Sequence, residues 1–310
     1  MLRSLRQYQA KMTTISSKIA KECIALFRSC AKSGRGTNDG NNTLREKALE
    51  ALFNGVLPAE FFTDMVVGAE WTNLRDKWHE SIQRLCDKAF ETVSVRHLGG
   101  RRYNYDFTAT FEKDGSPVHI AKVEFKHGAS KLTALPQFLS LPANASLFGI
   151  SYAEFYYDNY LKAYLEADGA FPLTIPDRAT YMRYIYQNDY DKDIFFRTMY
   201  DRESINKSAK AAIVNRSIHE YLSALRPDLA ALTVRFEETQ ADKHYLLWDT
   251  RTFHHAVFTP ADLRLTSFDG IKNKNTLIFS SATMVYSCLL RWRNHKGILL
   301  PAWQISVKAK

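Results

Sequence analysis

The chain has 310 residues, long for a single compact domain, so one elaborated domain or two are both open. Its 45% hydrophobic and 13% aromatic content excludes wholesale disorder, and no run of about 18 uncharged apolar residues offers a membrane span. Net charge is +9, and four scattered cysteines (Cys23, Cys30, Cys86, Cys288) without a C-x-x-C pair argue against a disulfide framework or a structural zinc site and for a reduced, intracellular protein.

Most of the charge lies at the start. Arg3, Arg6, Lys11, Lys18, Lys21, Arg28, Lys32 and Arg35 are opposed only by Glu22, a net +7 within residues 1–35. Three readings of this arm stay open: a phosphate-binding arm, a mitochondrial presequence, or a solvated helix face. No unbroken apolar region follows Arg3 and Arg6, which excludes a secretory signal. Nuclear or cytoplasmic residence is therefore expected ahead of mitochondrial. Residues 34–43 (GRGTNDGNNT) read as a linker. A helix is expected over 44–53, broken near Gly55–Pro58, and a stronger one over 70–90. There Trp71, Leu74, Trp78, Ile82, Leu85 and Ala89 recur every three or four residues. A strand over 92–98 ends at Gly99 and Gly100.

From Tyr103 the apolar period changes to two. Residues 105–126, YDFTATFEKDGSPVHIAKVEFK, are two alternating runs about the turn cluster Asp114-Gly115-Ser116-Pro117. Centring the hairpin on Gly115 sets Asp106 opposite Glu124, where partner Cβ atoms lie about 5 Å apart. Phe107, Ala109, Phe111, Ala121, Val123 and Phe125 then share a buried face. Asp106, Thr108, Thr110, Lys122, Glu124 and Lys126 share the other. Two carboxylates this close repel unless a cation lies between them. Carboxylates bind hard divalent cations, which polarise a scissile phosphate. A neighbouring lysine can orient or deprotonate the attacking water and balance growing negative charge. The competing reading is an exposed strand face with an ordinary ion-pair lattice.

Asp106 followed eighteen residues later by Glu124-Phe125-Lys126 resembles the PD-(D/E)XK nuclease superfamily. The resemblance spans roughly 70–165 and follows a helix, three-strand, helix order. It implies a restriction-endonuclease-like core and Mg²⁺, with Mn²⁺ as a substitute, held by Asp106, Glu124 and the Phe125 carbonyl. Lys126 would serve the attacking water. Tyr105 stands where the family name has proline. Family members often carry an acid or a histidine on the first core helix, which points to His79 and Glu80. Glu80 lies opposite the apolar stripe and His79 at its edge. Gln137, in LPQF, resembles a glutamine that some branches place near the site, without the tyrosine that follows there.

Beyond the core, helices are expected over 152–165, 181–200 and 208–225, and strands over 232–237, 244–249, 276–281, 285–293 and 298–307. Asp189, Asp191 and Asp193 imitate a calcium loop, but Ile194 and Tyr200 stand where it needs glycine and glutamate. His254-His255 has no acid or cysteine at ligand spacing and reads as structural. In the last hairpin Arg291, Arg293 and Lys296 interleave with Trp292 and Trp303, suiting either phosphate contact with base stacking or a charged edge strand. The expected layout is an α/β chain with a mixed sheet: a basic arm and linker (1–43), the nuclease core (44–168) and a helix-then-strand extension (169–310). The expected activity is metal-dependent phosphodiester hydrolysis, DNA ahead of RNA as partner, with an inactive nucleic-acid-binding protein as the alternative. No membrane partner is expected. A homodimer would suit two-strand cleavage, though no sequence feature requires one.

Overall fold

The computed structural model describes residues 17–29, 35–98, 103–135, 139–142, 147–187, 189–295 and 298–310. Four helices come first: α1 (Ser17–Arg28), α2 (Arg35–Phe53), α3 (Glu60–Thr63) and α4 (Gly68–Gln83). Strands β1 (Thr92–His97), β2 (Phe107–Lys113), β3 (Ser116–His127) and β4 (Leu139–Pro142) follow. Next are α5 (Tyr152–Asn159), α6 (Leu161–Glu166), α7 (Arg178–Gln187), α8 (Ile194–Asp201), α9 (Lys207–Ala224) and α10 (Leu229–Gln240). The chain ends with β5 (Lys243–Trp248), β6 (Phe253–Ala256), α11 (Pro260–Leu263), β7 (Leu265–Lys272), β8 (Thr276–Ser281), β9 (Met284–His295) and β10 (Ile298–Ala309). No helix among the described residues is long and apolar enough to cross a membrane.

The fold is α/β, with two five-stranded sheets. The first runs β1-β2-β3-β5-β6 and is mixed, because β3 and β5 are parallel. The second, β4-β10-β9-β8-β7, is antiparallel throughout. The chain divides into two compact units, Met1–Ala134 with Glu238–Thr259, and Leu135–Glu237 with Pro260–Lys310. The expected boundaries at 43 and 168 cut across this division. Parallel neighbours need a long crossover, and the one between β3 and β5 carries residues 135–237 of the second unit.

In the first unit the expected stripe forms α4, which buries Trp71, Leu74, Trp78 and Ile82. These side chains pack on Phe107, Ala109, Phe111, Ala121, Val123 and Phe125, the apolar face of the hairpin. The Trp78 indole N–H donates to the Leu49 carbonyl at 3.1 Å. A Cβ at Gly68 would lie 2.3 Å from the Phe62 carbonyl oxygen, so α3 approaches α4 this closely only because that residue is glycine. The helix stops at Gln83, well short of 90. A larger correction concerns the expected linker: residues 35–43 belong to α2. Gly and Asn disfavour helix by less than about 1 kcal/mol each. Burial of Ala48, Leu49, Ala51 and Leu52 in the core decides the outcome.

The hairpin turns on Asp114 (φ 53°) and Gly115 (φ 71°), the left-handed pair of a two-residue turn. The expected register holds from Phe107↔Val123 to Phe111↔His119, and a bulge shifts it at Glu112. At the other end the ladder departs from direct Asp106–Glu124 pairing. The Asp106 N–H donates instead to the Val123 carbonyl at 3.0 Å.

In the second unit the expected strand over 232–237 is helical, within α10. The Asp228 carboxylate accepts from the N–H groups of Ala230 and Ala231 at 2.9 and 3.0 Å, starting the helix, and Leu232 and Phe236 are buried one turn apart. The expected helix over 152–165 is two, α5 and α6, meeting at Tyr160. Expected strands over 276–281, 285–293 and 298–307 correspond to β8, β9 and β10. Trp292 lies against Tyr156 (5.0 Å between centroids) and stacks on Tyr164, while Trp303 is fully buried beside Phe148. Trp303 is core, which removes it as a base-stacking platform, while Trp292 is partly buried with its ring against those two tyrosines.

Candidate active site

Strand parity sorts the first sheet into two faces. The helices cover the face bearing Val123, Phe125, Leu246 and Trp248. The opposite face carries Glu124 and Lys126 on β3 and Lys243, Tyr245 and Leu247 on β5. Asp106, one residue before β2, joins them by its side chain: Oδ2 accepts the Phe125 N–H at 2.8 Å and lies 4.0 Å from Lys126 Nζ. Glu124 is buried. Its Oε1 pairs with the Lys126 ammonium, and its Oε2 lies 3.3 Å from Lys243 Nζ.

The electrostatics of the cluster follow from burial beside like charge. Burial raises the Asp106 carboxyl to about 7; the Lys126 charge and the Phe125 N–H pull it down, while Glu124 and Glu46 push it up. For Lys126, burial alone would lower the pKa. The charges of Glu124 and Asp106 outweigh it, so the ammonium is held above its ordinary range. Lys243 shifts the other way, because its burial outweighs the attraction of Glu124.

Of the residues singled out in the sequence, the structure brings Asp106, Glu124, Lys126 and the Phe125 backbone together. His79 and Glu80 stay apart from them. Their helix α4 packs on the apolar face, with the His79 ring stacked 4.2 Å from Phe53 and Glu80 ion-paired to exposed Arg84. Gln137, Lys296 and the Arg293 side chain lie outside the described residues. Arg291 is exposed on β9, in the second unit.

Two contributors went unread in the sequence. Glu46, on α2, bonds His97 Nε2 at 2.9 Å, and Glu50 one turn later accepts the His97 N–H at 2.9 Å. The hydrogen bond to Glu46 raises the His97 pKa despite burial. Two glutamates four residues apart repel on an isolated helix, a signal that a partner was waiting. Lys243 stands two residues before the apolar run YLLW, and its parity with Tyr245 and Leu247 puts it on the same face as those buried side chains.

His254 also differs from expectation, since Asp249 accepts from it at 2.7 Å. Burial would raise the Asp249 carboxyl, but the bonds from His254, Thr252 and Arg251 bring it to about 2. His255 turns to the other face, its Nε2 3.0 Å from His244 Nδ1.

No family model, curated protein or solved structure matches this chain. What the site does has therefore to come from its own chemistry. Among the described residues no group of three or more His, Cys, Asp or Glu is arranged to hold a metal ion. The candidate ligands are two carboxylates and a neighbouring carbonyl.

Proposed function

We propose that the chain is a magnesium-dependent nuclease, in first place a DNA endonuclease, with Asp106, Glu124 and Lys126 as catalytic residues. One observation carries this reading. A buried and a partly buried carboxylate meet a lysine on one sheet face, and Asp106 is pushed up to about 7. A carboxyl raised by burial beside specific charge partners is a functional-site candidate, since active sites are where burial and like charges are arranged to shift pKa values. The order of α4 and three antiparallel strands also agrees with the PD-(D/E)XK resemblance.

The residues fit a hard cation, since magnesium is commonly held by one or two carboxylates together with water and substrate phosphate. Bound Mg²⁺, or Mn²⁺ in its place, polarises the scissile phosphate and neutralises transition-state charge. Asp106 and Glu124 would hold the ion, with the Phe125 carbonyl beside them. Lys126 stays protonated because of the two acids, so it donates hydrogen bonds and does not remove a proton. In that form it orients the attacking water and balances charge on the phosphate.

Incubation with supercoiled plasmid, and separately with structured RNA, in Mg²⁺, Mn²⁺ or EDTA tests the reading. Metal-dependent plasmid cleavage, lost in Lys126→Ala, is expected. Cleavage confined to RNA would change the substrate. Binding without cleavage of either would leave an inactive nucleic-acid-binding protein and overturn the enzyme.

A further inference from the structure

Both oxygens of Glu124 are occupied by ammonium groups, Lys126 on Oε1 and Lys243 on Oε2. The two lysines differ in their freedom. Lys126 is 30% exposed and can swing toward solvent, whereas Lys243 is 3% exposed and enclosed at the start of β5. Its surroundings oppose it. Lys122 is its register partner, Lys126 lies on the same face, and Glu124 is the acid it touches. Lys122 is drawn off by its own ion pair to Asp242. A buried lysine beside two others is costly to keep unless its charge has a task.

We infer that Lys243 is a resident counter-cation for Glu124 that holds down the affinity for the divalent ion until a substrate phosphate arrives. The inference rests on the nuclease reading. An ion bound to Glu124 Oε2 at about 2.1 Å could lie no farther from Lys243 Nζ than that bond plus the 3.3 Å contact. Unlike charges attract across this gap and like charges repel, weakly screened because the site is buried. Lys243 cannot withdraw, so the repulsion persists in the loaded site. A phosphate supplies the anion that Lys243 loses to the metal, which couples ion binding to substrate binding. In the ion-free protein the same lysine adds to Lys126 in compensating the Glu124 charge.

The test is Mn²⁺ binding to the full chain without nucleic acid, followed by calorimetry or by the signal of free Mn²⁺. Lys243→Met and Lys243→Gln should each bind at least about tenfold more tightly than the parent, worth about 1.4 kcal/mol. Lys243→Arg, which keeps the charge, should stay near the parent. Lys122→Met, which removes a neighbouring exposed charge, should do the same. In the unmodified protein, a phosphorothioate oligonucleotide that resists cleavage should tighten Mn²⁺ binding by at least about tenfold, a readout that needs no variant to fold. Asp106→Asn and Glu124→Gln locate the ion. If they bind Mn²⁺ as the parent does, the ion sits elsewhere and the nuclease reading falls together with this inference. If they lose it while Lys243→Met and Lys243→Gln bind no more tightly than the parent, or the oligonucleotide changes nothing, the counter-cation role alone is overturned.

Discussion

Two buried acid–cation clusters, one in each unit, use the same kinds of residue to opposite effect. In the second unit Asp168 is fully enclosed between Arg202 and Lys210, with Lys210 Nζ 2.7 Å from Oδ1 and a further bond from Lys210 to the Arg202 carbonyl at 2.8 Å. Burial alone would raise that carboxyl, but the bonds from Lys210 and Arg202 outweigh it and the pKa falls. In the first unit burial raises Asp106 to about 7, although Lys126, which it shares with Glu124, pulls it down. One acid facing two cations is a tie that holds helices together. Two acids around Lys126, with Lys243 on Glu124 alone, leave Asp106 too little opposite charge to offset its burial.

The sharpest way to break this contrast is to remove acids from each cluster in turn. Glu124→Ala or Asp106→Ala should lower metal-dependent cleavage by roughly 10³-fold or more, the scale of losing transition-state charge stabilisation, while far-UV circular dichroism stays unchanged. Retained activity in both would reduce the first cluster to another tie. Asp168→Ala should instead cost about 3–5 kcal/mol of stability, because it leaves buried Lys210 and partly buried Arg202 without their acid. Denaturant unfolding would show it, and a loss below 1 kcal/mol would make the tie ornamental.

The pH dependence separates the clusters further. The folded-state pKa of Asp106 lies above its unfolded value of 3.8. Its contribution is thus fully present below about pH 4 and is lost as pH rises through about 7. Asp106→Asn should therefore raise the metal-free melting temperature at pH 8 and leave it nearly unchanged at pH 4. About 4 kcal/mol is the ceiling for a shift of three units, and partial exposure of the side chain reduces it. Asp168 has the opposite sign, its contribution being present at neutral pH and lost on acidification. A parent protein whose pH 8 stability is unaffected by Asp106→Asn would deny the raised acid. The smallest effect belongs to the second sheet. Arg291→Ala should lower the salt slope of nucleic-acid binding by about one if that exposed residue meets a phosphate, and an unchanged slope would confine substrate contact to other surfaces.

The helix α4 and the hairpin were legible from short-range pattern alone. Trp71, Leu74, Trp78 and Ile82 announce one helix face, and the alternation around Asp114-Gly115 announces two strands, their register and the face shared by Glu124 and Lys126. These are local periodicities, and the backbone has few ways to satisfy them. The helix through 35–43 and the helix through 232–237 were not legible, because weak local preferences gave way to burial of Leu49 and Leu52 in one place and Leu232 and Phe236 in the other.

By itself, the sequence determined the chemistry available: a paired acid, an acid-x-lysine strand end and an apolar face to hold them. Tertiary structure alone decided which other charges would meet them. Glu46 arrives on a helix from the start of the unit, and Lys243 arrives on a strand more than a hundred residues beyond Glu124, laid parallel to β3. Neither is predictable from periodicity, because a parallel neighbour is set by the crossover and by packing across the sheet. Periodicity tells each residue which face it takes, and only the closed sheet tells it whose charge it will face.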